Sequence, residues 1–402
     1  MGLTSRSRVN LNRKRTNIRK YLNIKIVIIL SCISIFVLVT ISVFTTVSLN
    51  NKVKESTVVY KAQEKETEKD NDNNLEKSKL EENNNTKIES IKIETSLCLL
   101  GEIMLGGEVS NNLEYMYSQA FKNIFTLTQK ADFTYANFST NITNFNKIVD
   151  TKSKYLVTKD AVSSLCSLGI DSVSIASDHI NDYPSEIIKN TVDTLNENNI
   201  FVAGRENLPV YFEKANKKVS IISTNSVILG TAKNYTDNGI SIYTLENLKK
   251  NIIEAKQVAD IVIVDVHWGK DHTYGVTNQM KTIACSAIDF GADLVVGSHA
   301  LGVYPIVEYK SKPIIYSLGS LISDTDYNVG KEGFIFNINI NKENKISSLE
   351  MIPIFTVDKK EVSLYKDYDE KKCDTYLEQF NNWNIQNGLN SVINDKKIII
   401  NF

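Results

Sequence analysis

The segment Ile261-Val262-Ile263-Val264-Asp265-Val266-His267 is the clearest indication of the fold class of this chain. Short runs of Val, Ile and Leu are typical of strands that are buried on both faces of a parallel sheet. Two further runs end in histidine in the same way, Ser172-Val173-Ser174-Ile175-Ala176-Ser177-Asp178-His179 and Asp293-Leu294-Val295-Val296-Gly297-Ser298-His299. Ligands of open α/β sheets bind beyond the carboxyl ends of the strands. We therefore expect His179, His267 and His299 to share one site.

Strand and helix patterns alternate through most of the remaining sequence, which favours a layered α/β fold with right-handed crossovers. An antiparallel pair is expected at residues 334–340 and 346–355, so the sheet is mixed or a second sheet exists. Residues 360–402 form a polar helical segment with a last strand at 398–400 in this interpretation. Further strands are predicted at residues 95–101, 131–136, 200–203, 218–224 and 313–319, and helices at 121–130, 160–168, 184–198, 245–258 and 277–290.

The N-terminal region predicts a membrane anchor. Residues 26–49 contain no charged side chain, and at about 1.5 Å per residue they are long enough to cross a bilayer as a transmembrane helix. Residues 1–25 are basic and contain no acidic side chain, so this flank is expected in the cytoplasm. Because Thr45-Thr46-Val47-Ser48 is a poor cleavage site, an uncleaved single-pass anchor in the cell membrane is favoured over a signal peptide. Everything after residue 50 is then extracytoplasmic.

Composition sets the remaining boundaries. Residues 50–91 are rich in charge and Asn, which predicts a disordered linker, followed by a domain at 92–358 and a C-terminal extension at 359–402.

A net charge of −1 gives no indication of nucleic acid as a partner. The five cysteines contain no C-x-x-C pair, which excludes zinc-ribbon and thioredoxin motifs.

Five predicted strand ends carry side chains that can bind a metal ion, namely Glu102, Asn137, His179 with Asp182, His267 with Asp271, and His299. Carboxylate, amide carbonyl and imidazole groups are all ligands of divalent metals, and a bound metal can activate water for attack on an ester. Each residue also has a simpler interpretation. Glu102 can be a solvated turn residue, Asn137 a turn cap, and a single histidine a hydrogen-bonded structural residue.

These motifs, in this order, resemble the CapA family of poly-γ-glutamate capsule synthesis proteins, whose domain is similar to calcineurin-type metallophosphatases. The resemblance covers about residues 92–355. It implies a calcineurin-like metallophosphatase-type α/β sandwich, and a role in making, exporting or retaining a poly-γ-glutamate-like polymer beside a membrane-bound synthase complex. The motifs that carry it are Gly101-Glu102-Ile103-Met104, Asn137-Phe138-Ser139, Ser177-Asp178-His179-Ile180-Asn181-Asp182, His267-Trp268-Gly269-Lys270-Asp271, Gly297-Ser298-His299 and Tyr316-Ser317-Leu318-Gly319.

The chain departs from the family pattern at five positions. Glu102 replaces an Asp, Ser139 a Glu, Asp178 an Asn, Leu301 the second His of a His-Pro-His pair, and Ser320 an Asn. A metal site needs its full ligand set and supporting contacts, so the resemblance implies a weakened site. The ligands that it implies for one ion of Mn, Zn or Fe are Glu102, Asn137, His179, His267 and His299.

Two alternative functions remain open. The first is a metal-dependent hydrolase of a phosphoester or related bond, with catalytic roles for His179, Asp182, His267 and Asp271, where an aspartate orients a histidine or acts as a base. The second is a pseudo-enzyme that binds an anionic polymer at the cell surface without chemistry. The substitutions at Leu301 and Ser320 favour the second alternative over the first.

Overall fold

The computed structural model describes residues 95–144, 155–227, 239–270 and 275–402 of the chain. The predicted anchor at 26–49, the linker at 50–91 and the site residue Asp271 lie outside the described residues. Among the helices that are described, none is long and apolar enough to cross a membrane.

The first sheet is mixed and is centred on a parallel strand group. Within the described residues its order is β17-β18-β15-β14-β1-β2-β5-β6, with β13 beside β1 and β16 beside β15. The pairs β1/β2, β2/β5, β5/β6 and β1/β13 are parallel, and the others are antiparallel. The strands are β1 Thr95–Ile103, β2 Phe133–Phe138, β5 Ser172–Ser174, β6 Phe201–Ala203, β13 Ser320–Ile322, β14 Glu332–Ile340, β15 Ile346–Val357, β16 Glu361–Leu364, β17 Asn390–Asn394 and β18 Lys397–Asn401.

The second sheet contains the apolar segment Ile261–His267 as its strand β9. Its order is β11-β12-β10-β9-β8-β7, and the inner pairs β8/β9, β9/β10 and β10/β12 are parallel. A short parallel pair, β3 Asn141–Thr143 with β4 Leu156–Thr158, lies apart from both sheets. The strands of the second sheet are β7 Val210–Lys214, β8 Lys217–Asn225, β9 Ile261–His267, β10 Leu294–Ser298, β11 Ile306–Tyr309 and β12 Lys312–Ile315.

Helices cover the outer faces of the two sheets, so the layers run helix, sheet, sheet, helix. Residues of α3 and α4 pack with β1, β2 and β5 in one core cluster, and residues of α5 and α6 pack with β9 and β10 in another. The α-helices are α1 Glu108–Asn112, α2 Phe125–Thr128, α3 Val162–Ser167, α4 Ser185–Glu197, α5 Leu245–Lys256, α6 Asn278–Phe290, α7 Tyr365–Tyr368 and α8 Glu370–Gln386, and single 3-10 turns occur at Tyr117–Phe121, Lys159–Ala161, His179–Asp182 and Asn328–Gly330.

A third cluster fills the layer between the sheets. Side chains alternate between the two faces of a strand, so Ile261 and Ile263 enter this inner layer while Val262 and Val264 pack against α5 and α6. Both faces of β9 are therefore buried, as the continuous apolar run predicted. Each fully buried Val or Ile stabilises the fold by about 1.5–3 kcal/mol relative to an exposed one.

The C-terminal residues extend the first sheet. Strand β18 pairs with β15, and α8 packs on the same sheet, where the ring of Phe334 in β14 stacks on Tyr376 with centroids 4.9 Å apart. The helical segment and last strand that the sequence predicted are therefore present.

Three predicted elements differ from the structure. The strand predicted to end at His179 covers only Ser172–Ser174, and His179 begins the 3-10 turn His179–Asp182. The helix predicted at 121–130 is broken into the 3-10 turn Tyr117–Phe121 and the four-residue α2. The aromatic and β-branched residues of this segment have low helix propensity. Its apolar side chains have helix-like spacing and several are buried, but the backbone does not form a continuous helix. The strand predicted at 313–319 ends at Ile315, and Gly319, further along the chain, takes a left-handed conformation with φ of 74°.

Candidate metal centre

The carboxyl ends of strands from both sheets converge on one group of polar side chains. His267 closes β9 and pairs in register with Ser298, which closes β10 and precedes His299. Glu102 near the end of β1 pairs in register with Asn137 of β2. The loop after β5 contributes Asp178 and His179. Because parallel strands present their carboxyl ends at one edge, residues far apart in the chain meet here.

Asp178 is the centre of this group. Its Oδ1 atom lies 2.9 Å from Nε2 of His267 and 3.8 Å from Nδ1 of His299. Its Oδ2 atom lies 3.7 Å from Nε2 of His179. The rings of His267 and His299 have centroids 4.6 Å apart. One buried carboxylate therefore contacts or approaches all three histidines that the sequence placed in a shared site.

The protonation of this group follows from burial opposed by pairing. Burial disfavours the charged form of Asp178, but the hydrogen bond from His267 and the charges of the neighbouring histidines outweigh it, so its pKa lies well below the usual value. Burial also favours a neutral His267, but the hydrogen bond to Asp178 and the charges of Asp178 and Glu102 raise the pKa of His267 above its usual value. In the absence of a metal ion the site therefore favours an ion pair, in which the ring of His267 carries the proton and the carboxyl of Asp178 is ionised.

His179 occupies the outer side of the group. Its Nδ1 atom lies 2.9 Å from Oδ2 of Asp182, and its ring stacks on Tyr155 with a centroid distance of 3.6 Å. Burial lowers the pKa of His179, but the hydrogen bond to Asp182 and the charge of Asp178 raise it above the usual value overall. Of the predicted pairs of histidine and aspartate, this one is present, while the pairing of His267 with Asp271 falls outside the described residues.

Glu102 and Asn137 lie beside the group and keep unused polar atoms. The Oε2 atom of Glu102 and the Nδ2 atom of Asn137 are buried without a hydrogen-bond partner. Burial raises the pKa of the Glu102 carboxyl, and the charge of His267 lowers it in part. Buried polar groups without partners are rare in folded proteins. Both residues thus lie where the sequence placed them, and their roles as ligands stay predictions.

His299 and Leu301 line a cavity of about 240 Å³ beside the group. His299 has a φ of 90° and Leu301 a φ of 61°. Such conformations cost non-glycine residues about 1–3 kcal/mol and persist where the surrounding structure holds them. Leu301 brings an apolar side chain to the wall where the family pattern has a second histidine.

Several residues of the family motifs have a structural role. The indole Nε1 of Trp268 donates to the carbonyl oxygen of Tyr316 at 2.8 Å, and a Cβ atom at Gly297 would collide with both of these atoms. Gly101 similarly leaves room for the backbone of Gly319, whose oxygen an added Cβ would strike. These residues hold the strand ends together, so the motif predicts the scaffold of the site as much as its chemistry.

Sequence reasoning missed two parts of the site. Asp178 was noted beside His179 at a strand end and as a departure from the family pattern, but it was not assigned a role as a ligand. A polar layer beneath the site was also missed. There, Oδ2 of Asp265 accepts hydrogen bonds from Tyr135 at 2.8 Å and from Ser223 at 2.9 Å. The polar residues within these strand runs, Tyr135 and Asp265, carried that signal.

The side chains present fit a divalent cation. Among the described residues, Asp178, His267 and His299 offer ligand atoms that all lie within 4.8 Å of one another. Two imidazoles and a carboxylate suit Zn, Mn or Fe. The Nδ1 atom of His267 lies 3.1 Å from Oγ of Ser298, and metal-binding histidines commonly donate their second ring N–H to such a partner.

The fold and this site define a class, a two-sheet α/β protein with a candidate His/Asp metal centre at the strand ends. A model of the family described as bacterial capsule synthesis protein PGA_cap matches residues 96–325. The chain belongs to this family, in agreement with the resemblance seen in the sequence.

Relatives and a solved structure are similar to this chain to different degrees. The "PGA biosynthesis protein CapA" of Bacillus subtilis (strain 168) is 26% identical over 290 residues, which cover 67% of this chain and 75% of that protein. The "Capsule biosynthesis protein CapA" of Bacillus anthracis is 23% identical over 276 residues, covering 64% and 67%. The 5′-nucleotidase precursor of Thermus thermophilus aligns with a TM-score of 0.42 and 11% identity, covering 71% of this chain and 60% of that one. The overlap with that structure is partial.

Proposed function

We propose that this protein acts in the synthesis, export or retention of a poly-γ-glutamate-like capsule polymer at the cell surface. The observation that carries the proposal is the family match over residues 96–325, which includes every strand end of the candidate metal centre. In this proposal the basic N-terminus is cytoplasmic, residues 26–49 anchor the chain in the membrane, and the domain faces outward beside a polymer synthase complex. The sandwich is of metallophosphatase type, as the two facing sheets and the strand-end site suggest.

The proposal includes one divalent ion held by Asp178, His267 and His299. When bound, such an ion supplies a Lewis acid that polarises a carbonyl or phosphoryl oxygen. Ser298 fixes the ring of His267, and the approach of Asp178 to three histidines keeps that carboxylate ionised. Glu102 and Asn137 are available to extend the ligand set.

Metal analysis of the purified full-length chain tests the centre. We expect near-stoichiometric Mn, Zn or Fe in the wild type, and its loss in His267→Ala. The exposed carboxylate variant Asp193→Ala is the matched control and should retain the metal. If the wild-type protein folds normally and contains no metal, the proposed ion is wrong and a binding or scaffolding role remains.

The capsule role needs a cellular test. Deletion of the gene in a capsule-forming host should lower the amount of surface-retained poly-γ-glutamate, and the wild-type gene should restore it. Complementation with His267→Ala then separates a metal-dependent role from a scaffolding role. An unchanged polymer after deletion would show that the proposed function is wrong.

A second candidate function is hydrolysis, which the pair His179–Asp182 favours. An imidazole oriented by a carboxylate beside a metal centre can transfer a proton in the reaction. The assay is release of p-nitrophenol from p-nitrophenyl phosphate with added Mn. Turnover at least tenfold above that of His267→Ala would support a hydrolase, and equal turnover would favour the pseudo-enzyme that binds an anionic polymer.

A further inference from the structure

Asn225 ends β8 directly beside the candidate metal centre. It pairs in register with His267 across two neighbouring parallel strands. Residues that are paired in this way present their side chains on the same face of a parallel sheet. The side chain of Asn225 therefore adjoins that of His267 at the carboxyl ends of the strands.

The residue two positions earlier shows which way this face turns. Ser223 of β8 contacts Ser174 of β5 in the first sheet, with 2.5 Å between their Oγ atoms. Side chains alternate along a strand, so Asn225 faces the same gap between the sheets as Ser223. The loop after β5 reaches the end of this gap, where Oδ1 of Asp178 lies 2.9 Å from Nε2 of His267. Asn225 thus faces the region where the candidate ligands converge.

A backbone turn fixes the orientation of the amide of Asn225. Its Oδ1 atom accepts a hydrogen bond from the backbone N–H of Val227 at 2.7 Å. An amide nitrogen cannot accept such a bond, so the group does not turn over without losing it. The oxygen is engaged by the loop, and the two N–H groups of Nδ2 point away from Val227.

Within the described part of the chain, Nδ2 of Asn225 is a donor without an acceptor. The residue is 1% exposed, so bulk solvent does not reach the amide either. A buried donor left unpaired costs free energy, and such groups are rare in folded proteins. An oxygen atom that enters the gap beside His267 would remove this cost.

The chemistry of Nδ2 narrows the class of that oxygen. An amide nitrogen donates and offers no lone pair to a metal ion, so Nδ2 is not itself a ligand of the proposed ion. A group that suits both the ion and the amide must accept a hydrogen bond and carry negative charge. Carboxylate and phosphoryl oxygens have both properties.

We propose that Asn225 positions the ligand of this site, by donating from Nδ2 to a carboxylate or phosphoryl oxygen held beside His267. The inference rests on the proposed function and deepens it, since it names small oxyanionic groups as the class of ligand and adds the residue that selects them.

Two anions test the proposal with the full-length chain, inorganic phosphate for the phosphoryl group and glutarate for the carboxylate. Calorimetric titration into zinc-loaded, desalted protein gives the Kd of each. Asn225→Asp keeps an oxygen that accepts from Val227 and replaces only the donor. The Kd of the anion that the wild type prefers should rise at least about tenfold in this variant, as expected for one lost hydrogen bond to a charged group.

Zinc affinity is the second readout, and it separates positioning from a structural role. A carboxylate near the ion attracts it, so Asn225→Asp should bind zinc at least as tightly as the wild type while it loses the anion. Asn341→Asp is the matched control, because Oδ1 of Asn341 also accepts backbone N–H bonds, from Glu343 and Lys345. Both Kd values of this control should equal those of the wild type.

Three results would overturn the proposal. The first is unchanged anion binding in Asn225→Asp, which is expected if Nδ2 serves only a trapped water molecule. The second is a parallel loss of anion and zinc, which indicates damage to the fold. The third is a wild type that binds neither anion, with or without zinc.

The outcome for the ion is measured separately. If the wild type binds no zinc, the ion of the proposed function is wrong, and the anion titrations of metal-free protein then test Asn225. A tenfold difference between the wild type and Asn225→Asp in those titrations would support the donor role without the ion.

Discussion

The two ends of the layer between the sheets differ sharply in chemistry. At the amino ends of the strands the layer is apolar and contains Leu97, Ile261 and Leu294. Towards the carboxyl ends the same faces carry Asp265 and then His267. The apolar end gains free energy from burial, whereas the polar end is stable only because its charges are paired. One layer thus supplies both the stability and the site, and the two are separated along the strand direction.

The largest effect is expected where pairing fails at the polar end. Asp178→Ala leaves the buried ring of His267 without its counter-charge, and breaking a buried pair costs about 3–5 kcal/mol. Urea unfolding of the chelator-treated protein at pH 6 measures this loss. The control Asp193→Ala removes a carboxylate with a 48% exposed side chain and should cost about 1 kcal/mol or less. A loss below 1 kcal/mol for Asp178→Ala would show that the pair does not stabilise the polar end.

The apolar end should respond to volume and not to charge. Ile263→Ala removes buried methyl and methylene groups and should cost about 2–5 kcal/mol, against about 0.5–1.5 kcal/mol for Ile263→Val. Thermal or urea unfolding gives both values. The metal content of the folded fraction should stay at the wild-type level in both variants. A loss of metal in Ile263→Val would show that the two ends are coupled.

The polar layer beneath the site, around Asp265, should give an intermediate loss of stability when it is altered. Tyr135→Phe removes a donor to Asp265, whose Oδ1 atom is already buried without a partner. A buried acceptor that loses a donor costs about 1–3 kcal/mol. Unfolding measurements on Tyr135→Phe and, as a matched surface control, on Tyr368→Phe test this. Equal stability of Tyr135→Phe and the wild type would mean that Ser223 alone satisfies Asp265.

The smallest effect concerns pH. The pKa of His267 is raised above 6.5 in the metal-free fold, so its contribution to stability is full below pH 6.5 and is lost as pH rises through the raised value. The pKa of Asp178 is lowered from 3.8, so its contribution is present above that pH and is lost only in acid. Chelator-treated protein should therefore be most stable between about pH 4 and 6.5.

Metal uptake should have the opposite slope, because an ion displaces the proton shared by His267 and Asp178. The affinity for Zn should rise up to about tenfold per pH unit from pH 6 to the raised pKa. Calorimetric titration at several pH values measures it. The carboxyl groups that face His267 are those of Asp178, Glu102 and Asp265. A zinc affinity that does not change with pH would show that these groups do not keep the ring of His267 protonated.

Much of this arrangement was predictable from the strand runs. Their continuous apolar character and their terminal histidines predicted buried parallel strands with His179, His267 and His299 at one edge. The position of Asp178 beside His179 indicated the cleft but not its contact with His267. That contact forms because the loop after β5 in the first sheet meets the end of β9 in the second sheet, and the strand runs alone do not predict how two sheets face each other. The break in the helix at 121–130 was also missed, since packing of Phe121 and Ile124 outweighed a weak propensity.

The position of β1 has a consequence for the order in which the protein folds. This strand lies between β2, which follows it closely, and β13 and β14, which begin more than 200 residues later in the chain. Closing so long a loop delays the contact, and folds dominated by distant pairs form slowly. A chain that leaves the ribosome or crosses a membrane from its N-terminus would hold β1 half-paired until residue 340 has emerged. The end of β1 that carries Glu102 is therefore among the last parts of the domain to be completed, and a C-terminally truncated product would lack a finished candidate metal centre.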